Sequence, residues 1–216
     1  MSADRYGAEG VIEWASAGRP LGGPGPENES GDLEVVAPFE GGVLLALIDG
    51  LGHGPEAAKA AKAAAGILQA HASQPVATLV QKCHENLDKT RGAVMTLASL
   101  DARTSSLTWI GVGNVEGILL REHSGAGPRR ESVTARGGVV GSQLPPLRPS
   151  TLSISPGDIL VMATDGIRNS FTSELTLREN LQETANAILA SHSRQSDDAL
   201  VVIARYLGQT KHGPTI

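Results

Sequence analysis

The chain predicts an α+β fold built in layers. Three observations carry that expectation. Strand-like apolar runs outnumber helical stretches, the helical stretches fall in a pair and then singly, and no regular strand–helix alternation marks βαβ units. At 216 residues, one domain is the simplest organisation. Hydrophobic residues make up 40% of the chain and aromatic ones only 3%, so Val, Leu, Ile and Ala must fill the core.

The elements read as follows. Val11 to Ala15 is a first strand, and the Gly- and Pro-rich stretch from Gly18 to Gly31 a loop. Leu33 to Ala37 is a short strand. Val43 to Ile48 is a continuous apolar run closed by Asp49-Gly50, the pattern of a buried strand. A glycine-rich turn, Gly50 to Gly54, leads into Pro55 and an alanine-rich segment to about Ala70. Pro suits the first helical position and Ala has the highest helix propensity, so this is a helix. A second helix spans Pro75 to Lys89, with Val76, Leu79, Val80, Cys83 and Leu87 on one face.

Strands follow at Val94 to Leu100, Leu107 to Val112 and Val115 to Leu120, the last two joined by a hairpin at Gly113-Asn114. Glu122 to Arg136 is polar and basic and reads as a loop. Gly137 to Gly141, Leu152 to Ile154 and Asp158 to Thr164 are further strands, the last two linked by the turn Ser155-Pro156-Gly157. Asp158 to Thr164 contains a second apolar run closed by an Asp-Gly pair, Asp165-Gly166. Leu181 to Ala190 reads as a helix and Ala199 to Tyr206 as a closing strand.

Bulk properties exclude several functions. A formal net charge of −5 argues against nucleic acid as the main partner, because a phosphate backbone needs a basic surface. No apolar run approaches the ~20 residues that span a bilayer. With Cys83 as the one cysteine, no intrachain disulfide can form. That, with no stretch that reads as a signal peptide, predicts a cytoplasmic setting.

The chemistry sits in the acidic residues. Asp32, Asp49, Asp165 and the pair Asp197-Asp198 all stand at strand boundaries. Asp-Gly is also a common turn dipeptide, so any one of these alone reads as a turn. Gathering several carboxylates is very unfavourable unless cations neutralise them. Without a Cys cluster or paired His, an oxygen-only set suits Mg²⁺ or Mn²⁺ rather than zinc. Two such ions ~4 Å apart can bridge and acidify one water, aiming a nucleophile at a phosphoryl group.

The order Gly31-Asp32, Asp49-Gly50-Leu51-Gly52-His53-Gly54, Ala163-Thr164-Asp165-Gly166 and Asp197-Asp198 resembles the metal-dependent Ser/Thr protein phosphatases of type 2C. It looks closest to their bacterial SpoIIE-like branch and, within that, to the RsbX type of stressosome phosphatase. The resemblance runs from about residue 11 to residue 207. It implies a four-layer α-β-β-α sandwich with two mostly antiparallel central sheets. It implies two Mn²⁺ or Mg²⁺ ions, with Asp49 bridging them and Gly50 presenting its carbonyl. Asp32 would serve the second metal, and Asp165 and Asp197 the first. Asp198 would orient Asp197 or replace it. The implied activity is hydrolysis of phosphoserine or phosphothreonine on a protein. The implied partners are STAS-domain phosphoproteins of a stress-signalling complex, and the enzyme would be a monomer.

The chain departs from the family pattern in three places. Arg19, the nearest counterpart of a phosphate-clamping arginine, lies far upstream of Asp32. The histidine that follows Asp-Gly directly in eukaryotic relatives stands here as His53, beyond Leu51-Gly52. Gly113-Asn114 replaces a Gly-Asp that feeds a third ion, so a third ion is not expected.

Outside that set, His53 reads equally as a loop residue or as a catalytic, phosphate-orienting one near a helix start. His71, His84, His123, His192 and His212 read as surface residues, and Cys83 as core packing. Ser30 shapes the turn before Asp32. Arg121, Arg129, Arg130, Arg136 and Arg148 read as a solvated face, or as a guide for an acidic phosphoprotein. Two other functions stay open: a phosphohydrolase of small esters, and a catalytically silent binding module.

Overall fold

The computed structural model describes residues 5–8, 10–23, 25, 28–123 and 128–209. The first half contains β1 (Arg5–Ala8), β2 (Ile12–Arg19), β3 (Asp32–Phe39), β4 (Gly42–Gly50), α1 (Pro55–Ala70), α2 (Val76–Asn86) and β5 (Ala93–Asp101). The second contains β6 (Ser106–Val112), β7 (Glu116–Leu120), β8 (Arg130–Ser132), β9 (Ala135–Arg136), β10 (Ser150–Ser153) and β11 (Ile159–Ala163). α3 (Phe171–Glu174), α4 (Leu181–His192) and β12 (Ala199–Tyr206) complete it.

One sheet has the order β1-β2-β12-β11-β7-β8, the other β10-β6-β5-β4-β3 with β9 beside β6. The pairings within the sheets are antiparallel apart from β6 with β9. Three apolar layers stack across the molecule. Leu45, Leu47, Leu100, Met162 and Val202 fill the space between the sheets. Leu44, Ile48, Leu68, Leu79 and Cys83 join the second sheet to α1 and α2. Val201, Ile203, Phe171 and Ile188 join the first sheet to α4. This is the expected four-layer α-β-β-α sandwich.

The layers explain why β4 and β12 read as continuous apolar runs. Side chains alternate across a strand. In β4, Val43, Leu45 and Leu47 enter the inter-sheet core while Leu44, Ala46 and Ile48 meet the helices. Both faces are buried, so no polar alternation survives. The same count puts Asp32, Asp49, Thr164 and Asp198 in step with inward-facing residues of β3, β4, β11 and β12, one step beyond or at the strand ends.

Helix α1 begins at Pro55, as expected, and ends at Ala70. Its buried face consists of Ala57, Ala58, Ala60, Ala61, Ala64, Ala65 and Leu68, so the helix lies very close to the sheet. On α2, Val76, Leu79, Val80 and Cys83 form the buried face. Helix α4 is capped by Asn180, whose side chain accepts from the backbone N–H of Gln182 and Glu183.

Several connections differ from expectation. Gly113-Asn114 is not a hairpin: β6 and β7 belong to different sheets, and the pair carries the chain across the sandwich. Gly113 has φ +95° and its N–H bonds to the Arg136 carbonyl rather than across a turn. Ser155-Pro156-Gly157 is the expected turn between β10 and β11, and it too carries the chain from one sheet to the other. The apolar alternation of these strands fits either sheet, so it could not distinguish the two cases. Residues 137–141 make one bridge, Ala93 to Val140, instead of a strand. The polar stretch after Glu122 contributes β8 and β9. Strand β2 continues to Arg19, shortening the loop after it, and β1 and α3 carried no signal in the sequence.

Two substitutions test this packing by chemical denaturation. Leu45→Ala empties fully buried space between the sheets and should cost about 2–5 kcal/mol. Gly66→Ala should stabilise the chain by about 0.4–1 kcal/mol. Gly66 is exposed within α1, and a Cβ there meets nothing within 4 Å.

Candidate metal centre

The acidic residues reach one edge of the sandwich from both sheets. Asp32 opens β3 and pairs directly with Asp49 near the end of β4. Asp165 follows β11, and Asp197-Asp198 precede β12, which pairs with β11. Asp49, Asp165 and Asp197 line a cavity of about 300 Å³, together with Leu51, Gly52, His53, Val94, Asn114 and Ser196.

Two polar links pin the sheets together beside this cavity. Thr164 Oγ1 donates to Asp32 Oδ2 at 2.7 Å and accepts from the Leu200 N–H at 3.0 Å. Asp198 Oδ1 accepts from the Leu21 N–H and Oδ2 from the Gly31 N–H, both at 2.7 Å. Asp198 is 4% exposed, and its two oxygens are committed to backbone donors. Asp197 instead faces the cavity, and its Oδ1 accepts from the Asp198 N–H at 3.0 Å. The geometry thus separates the pair: Asp197 is available to a ligand, and Asp198 fixes the backbone around it.

The glycines of the two Asp-Gly pairs answer to packing rather than to a turn. Neither has a positive φ. A Cβ on Gly50 would stand 2.1 Å from the Ala57 carbonyl oxygen, and one on Gly166 only 1.7 Å from that of Asp198. Gly50 lets the first turn of α1 press against the end of β4. Gly166 lets the Asp165 segment press against the Asp198 backbone. Ser30 Oγ accepts from the Asp32 N–H at 3.1 Å and shapes the entry to β3 as expected.

Electrostatics follow from this crowding. Asp49 is pushed up to about 7, first by burial and then by Asp165, Asp197 and Asp198. Asp32 is raised well above its usual value by burial and by Asp49, with the Thr164 hydroxyl opposing. Asp197 is raised by burial and by Asp165, while the Asp198 N–H and, less, His53 pull it down.

Among the described residues, no three His, Cys, Asp or Glu side chains already close on a point as a metal would hold them. Individual carboxylates are drawn onto protein donors, Asp32 onto Thr164 and Asp165 onto Asn114 Nδ2 at 2.7 Å. The donor set itself fits hard divalent ions. It offers carboxylate oxygens, several of them raised for want of a counter-charge, and no sulfur.

The sequence missed Thr164 as a holder of Asp32 and Ser196 as a cavity residue, while Asn114, singled out as standing where relatives carry a metal-feeding Asp, does line the cavity. Strand-end position signals Asp but not the hydroxyl facing it from another strand. Other residues lie elsewhere. Arg19 is bound to Ser193 Oγ and to the Arg194 carbonyl. Arg121 pairs with Glu131 and Asp158, and Arg130 donates to the Thr172 carbonyl, so these two are structural rather than a solvated face. His192 is 8% exposed beside Ser170, not on the surface, and half-buried His84 accepts from the Gly141 N–H. Burial of the Cys83 thiol pushes it up to about 12, in keeping with a packing role. His212 lies outside the described residues.

Two facing antiparallel sheets with helices outside give the fold found in solved type-2C phosphatase domains. Residues 40–212 match the family model for stage II sporulation protein E (SpoIIE), and the chain belongs to that family. It is 23% identical over 164 residues to the phosphoserine phosphatase RsbX of Bacillus subtilis (strain 168), covering 76% of this chain and 80% of the relative. A solved structure of RsbX with magnesium superposes with a TM-score of 0.82 at 19% identity, covering 94% of this chain and 99% of that one. A chain from a structure of the bacterial stressosome, described as a modular system adapted to control secondary messenger signalling, is 30% identical. Its TM-score is 0.80, covering 90% of this chain and 99% of the other. The catalytic domain of the phosphatase PstP with two manganese ions has a TM-score of 0.67 at 17% identity, covering 91% and 99%. No described helix is long and apolar enough to cross a membrane.

The raised carboxyls make the metal-free fold pH-dependent. Between about pH 4 and 7 the folded chain binds more protons than the unfolded one, so its stability falls as pH rises through that window. Thermal melts in chelator should show this decline, and Mn²⁺ should reverse it. Asp197→Asn should stabilise the metal-free chain by relieving repulsion. Asp198→Ala should destabilise it by about 1.5–3 kcal/mol or more through the loss of charge-assisted hydrogen bonds.

Proposed function

We propose that the chain hydrolyses phosphoserine or phosphothreonine esters on a protein. One observation carries this reading: Asp49, Asp165 and Asp197, delivered by three separate strand ends, face a single cavity whose wall includes His53. Asp49, Asp165, Asp197, Asp32 and the Gly50 carbonyl would hold two Mn²⁺ or Mg²⁺ ions, with Asp49 shared between them. When bound, such ions acidify water and screen the charge on phosphoryl oxygens.

The protein's own groups do the rest. Asp198, tied to Leu21 and Gly31, keeps the Asp197 backbone in place. Thr164 holds Asp32 against rotation. Asn114 orients Asp165 through its amide. His53 is exposed on the cavity wall just before α1, where a protonated ring nitrogen can pass its proton to the departing seryl or threonyl oxygen. Gly52 and His53 are both exposed, so a phosphorylated side chain carried on a folded protein can approach.

The substrates on this reading are STAS-domain phosphoproteins of a stressosome, met in the cytoplasm by a monomeric enzyme. Likeness to RsbX and to a chain of a stressosome structure supports that choice.

The test is release of phosphate from a phosphorylated STAS-domain protein in Mn²⁺, beside hydrolysis of a generic aryl phosphate. The phosphoprotein should be turned over with the higher kcat/KM. Asp49→Asn should lose about 10²-fold or more in rate. Equal rates in parent and variant would remove the enzyme reading, and preference for the aryl ester would favour a small-ester hydrolase.

A further inference from the structure

We propose that Arg91 binds the phosphoryl oxygens of the substrate. This rests on the phosphatase reading above and names a group that reading lacks. The centre brings together the carboxylates of Asp32, Asp49, Asp165, Asp197 and Asp198. Two divalent ions supply four positive charges against those five negative ones, and a phosphomonoester adds up to about two more negative charges. A further fixed cation at the cavity rim would offset that excess as substrate enters.

The arginine that sequence position suggested, Arg19, has its guanidinium committed to Ser193 and Arg194. Arg91 is exposed and makes no hydrogen bond or ion pair to the described residues. Its guanidinium lies against Gly52: a Cβ built there would stand 2.8 Å from Arg91 Nη1. Gly52 lines the cavity between Leu51 and His53.

The backbone holds this arrangement from both sides. The Leu51 N–H donates to the Gly92 carbonyl at 3.0 Å, and the Gly92 N–H donates to Thr90 Oγ1 at 3.0 Å. Gly52 has φ +90°, a conformation other residues resist, and its missing side chain leaves the space that the guanidinium uses. A planar guanidinium offers parallel donors that match two oxygens of a phosphate. Arg91 thereby presents, next to cavity-lining Gly52, a fork with no partner among the described residues, joined to the Asp49 strand end through the Leu51–Gly92 bond.

Two measurements on the full chain test this. Calorimetry in saturating Mn²⁺ gives the affinity for inorganic phosphate, and steady-state kinetics on the phosphoprotein gives KM and kcat. Arg91→Ala should weaken phosphate binding and raise KM by about 10- to 100-fold, with Mn²⁺ affinity unchanged. Arg91→Lys should recover part of the loss. Arg91→Gln, which keeps length without charge, should behave like the alanine variant. Lys89→Ala, at an exposed neighbour in the same loop, should bind phosphate as the parent does, which separates direct contact from a general field. Parent-like phosphate affinity in both Arg91→Ala and Arg91→Gln would overturn the proposal. Absence of phosphoprotein turnover in the parent would overturn the phosphatase reading instead, and the calorimetry would still decide on Arg91.

Discussion

Like charges held together at the rim of a sandwich oppose folding, and the architecture around this site is organised against that repulsion. Asp32 and Asp49 stand opposite each other in adjacent strands, and Asp165, Asp197 and Asp198 arrive from the facing sheet. Burial, with repulsion from Asp165, Asp197 and Asp198 added to it, raises Asp49 to about 7. A fold tolerates this only where rigid elements deliver the groups and something else benefits from the charge. Here β4, β11 and β12 are central strands, β3 is the edge strand paired to β4, and on the proposed reading the beneficiaries would be divalent cations.

The means of holding the carboxylates are polar links that cross between the sheets. The bonds from Thr164 to Asp32 and from the Gly31 N–H to Asp198 each join one sheet to the other at the same edge. The inter-sheet core of Leu45, Leu47, Met162 and Val202 fixes the sheets behind them. Small residues then close the site from the helical side. Ala57 sits against Gly50 and Gly31, where any larger side chain would push α1 away from the strand ends. Composition and chemistry meet at this point. The small side chains of the alanine-rich helix read as suited to close packing on a sheet, and Ala57 lies against Gly50 beside Asp49.

Much of this was legible in the chain. The boundaries of α1 and β12 follow from propensity and from apolar runs, and three of the five strand-end aspartates, Asp49, Asp165 and Asp197, line the cavity. What resisted reading was connectivity across the sandwich. Gly113-Asn114 carries the composition of a hairpin, but partner choice between two equally apolar sheets is a long-range matter that local pattern does not encode. The division of labour within Asp197-Asp198 was equally hidden. Identical side chains at adjacent positions differ only in which backbone donors surround them, and those donors come from Leu21 and Gly31, far away in sequence. Arg91 escaped notice for the same reason, since its neighbour Gly52 lies on the other side of two helices.

The central claim is that these carboxylates form one divalent-cation centre with Asp49 at its middle. Crystals of the chain grown in Mn²⁺, with diffraction collected at the manganese absorption edge, test it directly. Two anomalous peaks should flank the Asp49 carboxylate, one on the Asp165–Asp197 side and one on the Asp32–Gly50 side. Manganese bound at other surfaces, with no peak beside Asp49, would contradict it.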